Sequence, residues 1–274
     1  MKVIKNLIWM NILHANYLEE LFFQYIPYLN VDLANSLINK TKFSRNVNLL
    51  VSFRDIFLGL YNPKYNAEQD LEKLKKAINV YNKNANTLAI RQENMRNKQE
   101  SIKHIPQNED LRKICVEYYH SNKKFSDACE TSLINKDDFK DLISNAQQCE
   151  SNIKHSFAQP LLEFNNALSH LAIFIYNDDI NDKLQNVKKA QNHIYRATLD
   201  NYKMILRFTI PNLQNNKENI LQSFRSMREQ EFLFLGESFL NKKIDYCCPI
   251  NNQSKRLPII TAYKELVEAI FNSA

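Results

Sequence analysis

The chain has 274 residues, of which 44% are hydrophobic, and its 36 Lys and Arg against 30 Asp and Glu give a formal net charge of +6. That apolar fraction supports a buried core, which excludes a disordered chain. The positive excess is spread along the sequence, without the dense basic block typical of a protein that coats nucleic acid. Only two glycines occur, against about nineteen at average usage. Because sheet proteins need glycine in tight turns, the composition predicts an all-α protein.

Short helices are predicted for the first third of the chain. Apolar residues recur there at helical spacing over roughly 2–26, 32–40 and 44–60. Pro27 separates the first two segments, since proline lacks the N–H that a helix interior needs. We expect these helices, within residues 1–64, to pack on a bundle formed by residues 65–274.

A heptad pattern begins after this first unit. Over about 66–104 the apolar residues alternate spacings of three and four, at Leu71, Leu74, Ile78, Tyr81, Ala85 and Leu88, and Met95 continues the register past Gln92. This pattern keeps one seam of a long helix facing a partner helix. A single helix of this reach would be about 55 Å long. The partner helix lies either in the same chain or in a second copy, as a homodimer.

Residues 135–209 are predicted to form an αα-hairpin of two long helices. One seam runs through Phe139, Leu142, Ala146, Cys149 and Ile153, and a second, in shifted register, through Phe157, Leu161, Phe164, Leu168, Leu171 and Ile175. Pro160 lies at the register change, so we expect a kink there. Asn177, Asp178 and Asp179 are good capping residues and predict the turn between the two helices. Pro211 ends the second helix.

The last part of the chain predicts a helix over 216–242, a polar loop over 245–258 and a final helix over 259–272. Together with the heptad seams, these segments favour an elongated antiparallel helical bundle with long helices.

One helix carries a polar stripe that could be a site. His193, Arg196, Asp200, Lys203 and Arg207 follow one another at spacings of three and four, and therefore share one face. As a site, His193 would transfer a proton while Arg196 or Lys203 held an anion. The alternative is a solvated helix face, tied together by ion pairs between Asp200 and its neighbours. The catalytic candidates are His193, Arg196, Asp200 and Lys203.

Motifs for cofactors and metals are not found in the sequence. With two isolated glycines, no glycine-rich phosphate-binding loop can form, so we expect no cofactor. The six histidines never pair at H-x-x-H or H-E-x-x-H spacing, which predicts no metal site unless ligands converge from separate helices. The five cysteines are odd in number and lack a C-x-x-C pair. We therefore expect free thiols and a cytoplasmic protein.

Three functional hypotheses follow. The first is a protein–protein interaction module, an adaptor, regulatory subunit or inhibitor without its own catalysis, since no nucleotide, metal or nucleophile motif appears. The second is a nucleic-acid-binding or RNase-like protein that uses residues 193–207. Helical ribonucleases of the HEPN type carry an Arg before a His, whereas His193 precedes Arg196 here, so the chain is not assigned to them. The third is a bundle bound to anionic membranes, because residues 67–104 hold eight Lys and Arg against five acidic residues.

Overall fold

The fold is all-α over the residues that the computed structural model describes, which are 16–29, 32, 47–62, 65–84, 99–135, 142–144, 155–177, 179–240 and 253–273. The helices are α1 (16–29), α2 (Val47–Gly59), α3 (Glu68–Asn84), α4 (Gln99–Gln107), α5 (Glu109–Glu130), α6 (Ala158–Tyr176), α7 (Ile180–Thr209), α8 (Lys217–Leu240) and α9 (Gln253–Ser273). A 3₁₀ turn, Ile210–Asn212, follows α7. No helix within these ranges is long and apolar enough to cross a bilayer.

The α6–α7 hairpin is the centre of the fold. Its turn is capped as the sequence predicts, because the Asp179 side chain accepts hydrogen bonds from the backbone N–H groups of Asn181 and Asp182 at 2.8 and 3.1 Å. The two helices are antiparallel. Glu163 bonds to His193, whereas His170, seven residues further along α6, bonds to Asn186, seven residues further back on α7. Helices α5 and α9 also pack on α7.

The first arm of this hairpin is shorter than predicted. Two strands, β1 (Leu142–Ser144) and β2 (His155–Phe157), pair antiparallel, with Leu142 opposite Phe157. The prediction of a helix beginning near residue 135 is therefore wrong at both strands. The remaining seam positions between Phe139 and Ile153 lie outside the described residues. Pro160 falls in the first turn of α6, where its missing N–H has no partner to lose, so the expected kink gives way to a helix start.

Buried polar contacts explain why β2 is extended. The guanidinium of Arg54 on α2 donates to the Ser156 hydroxyl and to Asn122 of α5, the latter at 3.3 Å. It also pairs with Asp55 at 2.7 Å, and both side chains are buried. The extended backbone of β2 places the Ser156 side chain against this guanidinium, and the preceding residue, His155, is also buried. Tertiary contacts therefore override the local apolar spacing.

Within the heptad segment the structure describes two helical stretches, α3 and α4. Leu71, Leu74, Ile78 and Tyr81 are buried, as their spacing predicts. The later seam positions, from Ala85 to Met95, lie outside the described residues. The single continuous helix over 66–104 therefore stays a prediction. The coiled coil, the elongated shape and the division at residue 64 stay predictions.

Three helices differ from the expectations. Helix α1 continues through Pro27 as far as residue 29, the last one described before a gap, and Tyr25 and Tyr28 on either side of Pro27 are both buried in the core. Helix α5 was not predicted, although Asn108 caps it by accepting a hydrogen bond from Leu111 N–H at 2.8 Å. Helix α9 begins at Gln253, inside the predicted 245–258 loop. By contrast, α8 matches the predicted 216–242 helix closely.

Candidate functional site

The polar stripe lies on α7, and the structure divides it into an inner and an outer part. His193, Asp200 and Lys203 are partly buried, whereas Arg196 and Arg207 are exposed to solvent. The adjacent stripe is apolar, with Tyr195, Leu199, Tyr202 and Leu206 in the core. His193 and Lys203 are paired with Glu163 of α6 and Glu231 of α8, whereas Arg196 and Arg207 face solvent.

His193 forms an imidazole–carboxylate pair with Glu163 of α6. The Nδ1 atom of His193 lies 2.6 Å from Oε2 of Glu163, and the two side chains are only 18% and 13% exposed. A carboxylate accepts hydrogen bonds and does not donate them, so Nδ1 of His193 carries the proton. In the neutral ring the lone pair then resides on Nε2.

A second imidazole stacks on the first. The rings of His170 and His193 have centroids 5.2 Å apart and planes inclined by 17°. Nδ1 of His170 lies 2.9 Å from Oδ1 of Asn186, whose own Nδ2 donates to the Asp182 carbonyl. Burial lowers the pKa of His170, and the bond to Asn186 opposes that effect only in part. The neutral imidazole is therefore the favoured form of His170 near neutral pH.

Lys203 is bound to Glu231 of α8 in a second cluster. The Glu231 carboxylate accepts hydrogen bonds from Lys203 at 2.5 Å, Arg228 at 2.6 Å and the Tyr263 hydroxyl at 2.7 Å. Burial alone would raise the pKa of Glu231, but the bonds and charges of these three groups outweigh it and lower that pKa. This cluster links α8 and α9 to α7. Lys203, which the sequence suggested as a group that could hold an anion, is paired with Glu231.

Asp200 lies on the stripe between the two clusters. Burial raises its pKa to about 6; Lys203 and Arg196 oppose the shift, whereas Glu163 and Glu231 increase it. Within the described ranges, no side chain or backbone group donates a hydrogen bond to its carboxylate. Asp200 is therefore a carboxylate whose ionisation the surrounding structure disfavours.

A groove at the other end of the hairpin is the second candidate site. It has a volume of about 670 Å³ and lies between α4 and the α6–α7 turn, lined by Ser101, His104, Ile105, Gln107, Asn108, Phe174, Ile180, Lys183, Leu184 and Val187. Ile180 and Leu184 are 72% and 57% exposed at its rim. Lys183 donates to the Ser101 hydroxyl at 2.9 Å and lies 5.9 Å above the Phe174 ring.

The partners of the stripe are the residues that sequence reasoning missed. Glu163, His170 and Glu231 belong to other helices, and no spacing within α7 points to them.

A comparison with protein families, curated proteins and solved structures finds no match to this chain. Among the described residues, no three His, Cys, Asp or Glu side chains are grouped closely enough to hold a metal ion. Both candidate sites are therefore interpreted from their own chemistry.

Proposed function

We propose that the protein is a protein–protein interaction module that binds an acidic amphipathic helix of its partner in the groove between α4 and α7. The observation that carries this proposal is the pair of exposed aliphatic side chains, Ile180 and Leu184, at the rim of an apolar groove. Single exposed apolar residues are ordinary on a protein surface, but adjacent ones beside a concave apolar floor are typical of a binding face.

The spacing of the rim residues favours a helical partner. Ile180, Leu184 and Val187 follow one another at intervals of four and three on α7 and therefore form one ridge. A ridge of this kind packs into the groove of a second helix. Ile180 and Leu184 would supply the exposed contact, and the buried side chains of Val187, Phe174 and Ile105 support them from below. Partner helices that bind in this way present apolar anchors at the same spacing.

The charge of the groove favours an acidic partner. Among the described residues that line it, Lys183 carries the full charge, His104 adds a titratable imidazole, and none is an Asp or Glu. Lys183 uses one N–H for Ser101, which leaves two donors for a carboxylate. Complementary charge at such a rim determines register and partner choice more than affinity.

The alternative site on α7 supports a binding function less directly. Lys203 is paired with Glu231, so of the stripe's cations Arg196 and Arg207 are the ones exposed to an anionic ligand. A nucleic-acid interface needs several phosphate contacts, so this pairing favours the groove over the stripe as the binding surface.

We expect the substitution Leu184→Asp to weaken partner binding by about 30-fold or more, because a central apolar anchor contributes about 2 kcal/mol and a carboxylate there repels an acidic helix. Partners captured from nuclease-treated lysate of the native host would be identified, and the bound segment would be made as a peptide for fluorescence anisotropy. Val80→Asp, at an exposed position on α3, is the matched control.

The proposal requires one captured protein that binds the wild type and Val80→Asp equally and loses affinity for Leu184→Asp. Lys183→Glu should also weaken binding of the same peptide, and the loss of affinity should be larger at low salt than at high salt. A peptide that binds Leu184→Asp as tightly as the wild type, or a capture that depends on nucleic acid, would overturn the groove as the interface.

A further inference from the structure

Lysine side chains border the exposed part of the α7 ridge on both sides. Ile180 and Leu184, which form that exposed part, are 72% and 57% exposed. At about 100° per residue around the helix axis, Lys183 lies about 80° to one side of them and Lys188 about 60° to the other. The hydrogen bond from Lys183 to Ser101 of α4 identifies the first side as the interior of the groove. Lys188 therefore lies along the edge of the ridge that is turned away from α4.

The charge of Lys188 is available to a partner. Lys188 is half-exposed, and among the described residues it makes no ion pair and no side-chain hydrogen bond. The acidic residues at this end of α7 are engaged elsewhere. Asp179 accepts backbone N–H groups at the helix start, and Asp182 accepts a hydrogen bond from Asn177 on the side of the helix opposite the ridge. The ridge is thus bordered by positive charge on both sides.

We propose that the helix bound in the groove carries carboxylates on both borders of its apolar anchors, and that Lys188 binds the border that Lys183 does not reach. This inference rests on the proposed function, because it specifies the partner helix for that groove and adds a residue outside the groove that determines specificity. A helix that directs its apolar anchors toward the ridge places its two neighbouring rows of side chains beside the two lysines. Acidic residues in both rows form an ion pair on each side, as the e and g positions do in coiled coils.

The two lysines act on partner choice more than on total affinity. An exposed ion pair contributes little free energy, so a helix with one acidic border still binds through its apolar anchors. Such a helix leaves one lysine beside uncharged side chains. A helix with basic borders is repelled on both sides. Charge on both sides of the ridge therefore discriminates among amphipathic helices whose apolar anchors are the same.

Lys189 is a matched control within the same helix. It is half-exposed like Lys188 and carries the same charge, but it lies about 160° around α7 from the exposed part of the ridge. Its charge acts instead on His170 of α6, where it helps to lower the pKa of the imidazole. Replacing either lysine by Gln removes one charge and retains a good helix former. A difference between the two variants therefore reports the position of the charge and not the net charge.

Fluorescence anisotropy of the full chain with synthetic peptides of defined charge tests the inference. The peptides have about 18 residues with leucine at the a and d positions, and they differ at e and g. One carries glutamate on both borders, two carry glutamate on one border and glutamine on the other, and one carries lysine on both. We expect the peptide with two acidic borders to bind about 3- to 10-fold more tightly at low salt than the better single-border peptide. The lysine peptide should bind most weakly.

A double-mutant cycle isolates the contact of Lys188 with the partner. Lys188→Gln should abolish the preference for the second acidic border, whereas Lys189→Gln should keep it. A preference that survives in Lys188→Gln, or that Lys189→Gln reduces to the same extent, would overturn the role of Lys188.

Leu184→Asp separates a failure of this inference from a failure of the groove. If peptides with one and two acidic borders bind the wild type equally, and Leu184→Asp abolishes the binding of both, the groove stands and the second border is wrong. If the wild type binds none of the peptides, or Leu184→Asp binds them as tightly as the wild type, the proposed function and this inference fail together. Tight binding of a single-stranded RNA that Lys188→Gln and Lys189→Gln weaken alike would identify a phosphate ligand and overturn the acidic helix.

Discussion

Replacing Arg54 by Met is expected to lower the free energy of unfolding by about 3–5 kcal/mol, the cost of breaking a buried ion pair by removing one partner. Arg54 is fully buried and donates to Asp55, Asn122 and Ser156, which lie on α2, α5 and β2. The variant leaves the Asp55 carboxylate in the core without the guanidinium and takes a donor from the other two acceptors. Urea unfolding monitored by circular dichroism measures the loss.

A double variant separates this buried charge effect from lost packing. Arg54→Met combined with Asp55→Leu replaces both charges by apolar groups, which in buried pairs is often close to neutral. We expect the double variant to regain most of the stability lost by Arg54→Met alone. A single variant that loses less than about 1 kcal/mol, or a double variant that is no better than the single one, would contradict this account of the core.

Local signals in the sequence were enough to place several helices. The Asp179 cap and the apolar spacing of α6 and α7 determine the hairpin, since capping and burial of one face act within a few residues. The same reasoning failed at β2, where the extended backbone depends on Arg54, more than one hundred residues earlier in the chain. Periodicity alone could not reveal that contact.

The stripe on α7 shows the same limit for a site. The spacing of His193, Asp200 and Lys203 correctly places them on one face, because helix geometry alone sets which side chains share a face. It could not show that Glu163 and Glu231 would meet that face, since helix packing brings them from α6 and α8. Whether the stripe acts in catalysis stays a hypothesis from the sequence.

The carboxylates of Glu163, Asp200 and Glu231 lie in one region but differ in the hydrogen bonds that they accept. Glu231 receives three charged or hydroxyl donors and Glu163 receives an imidazole, so burial of each is compensated by hydrogen bonds. Asp200 lies near the same two carboxylates, and their charges add to its burial. The chain therefore holds one acidic group in a position that disfavours its ionised form, which is a feature found at functional sites as well as in structural networks.

Substituting Asp200 by Asn is expected to stabilise the protein at pH 8 by about 2 kcal/mol. The pKa of Asp200 is about 6 in the folded chain, against 3.8 as its ordinary value. One pKa unit corresponds to about 1.4 kcal/mol, and partial exposure of the side chain reduces the full difference. Asparagine has a similar shape, carries no charge and leaves the bond between Lys203 and Glu231 intact.

The sign of the pH dependence follows from proton binding. Between about pH 4 and 6 the folded state binds more protons at Asp200 than the unfolded state does, so this residue lowers the stability of the protein as pH rises through that window. The Asp200→Asn variant lacks this loss of stability with rising pH, and its stability advantage over the wild type should disappear near pH 4. His170, with its lowered pKa, contributes equally to both proteins and cancels in their difference.

Urea unfolding of both proteins at several values between pH 4 and 8 measures the effect, with Asp110→Asn as the control. Asp110 lies in the exposed first turn of α5, where a carboxylate stabilises the helix dipole, so this control should lose up to about 1 kcal/mol at pH 8. An Asp200→Asn variant that loses stability at pH 8 would mean that the ionised carboxylate makes favourable native contacts. A gain confined to high pH would instead mark Asp200 as a charge that the fold tolerates at a cost, as residues retained for a purpose other than stability often are.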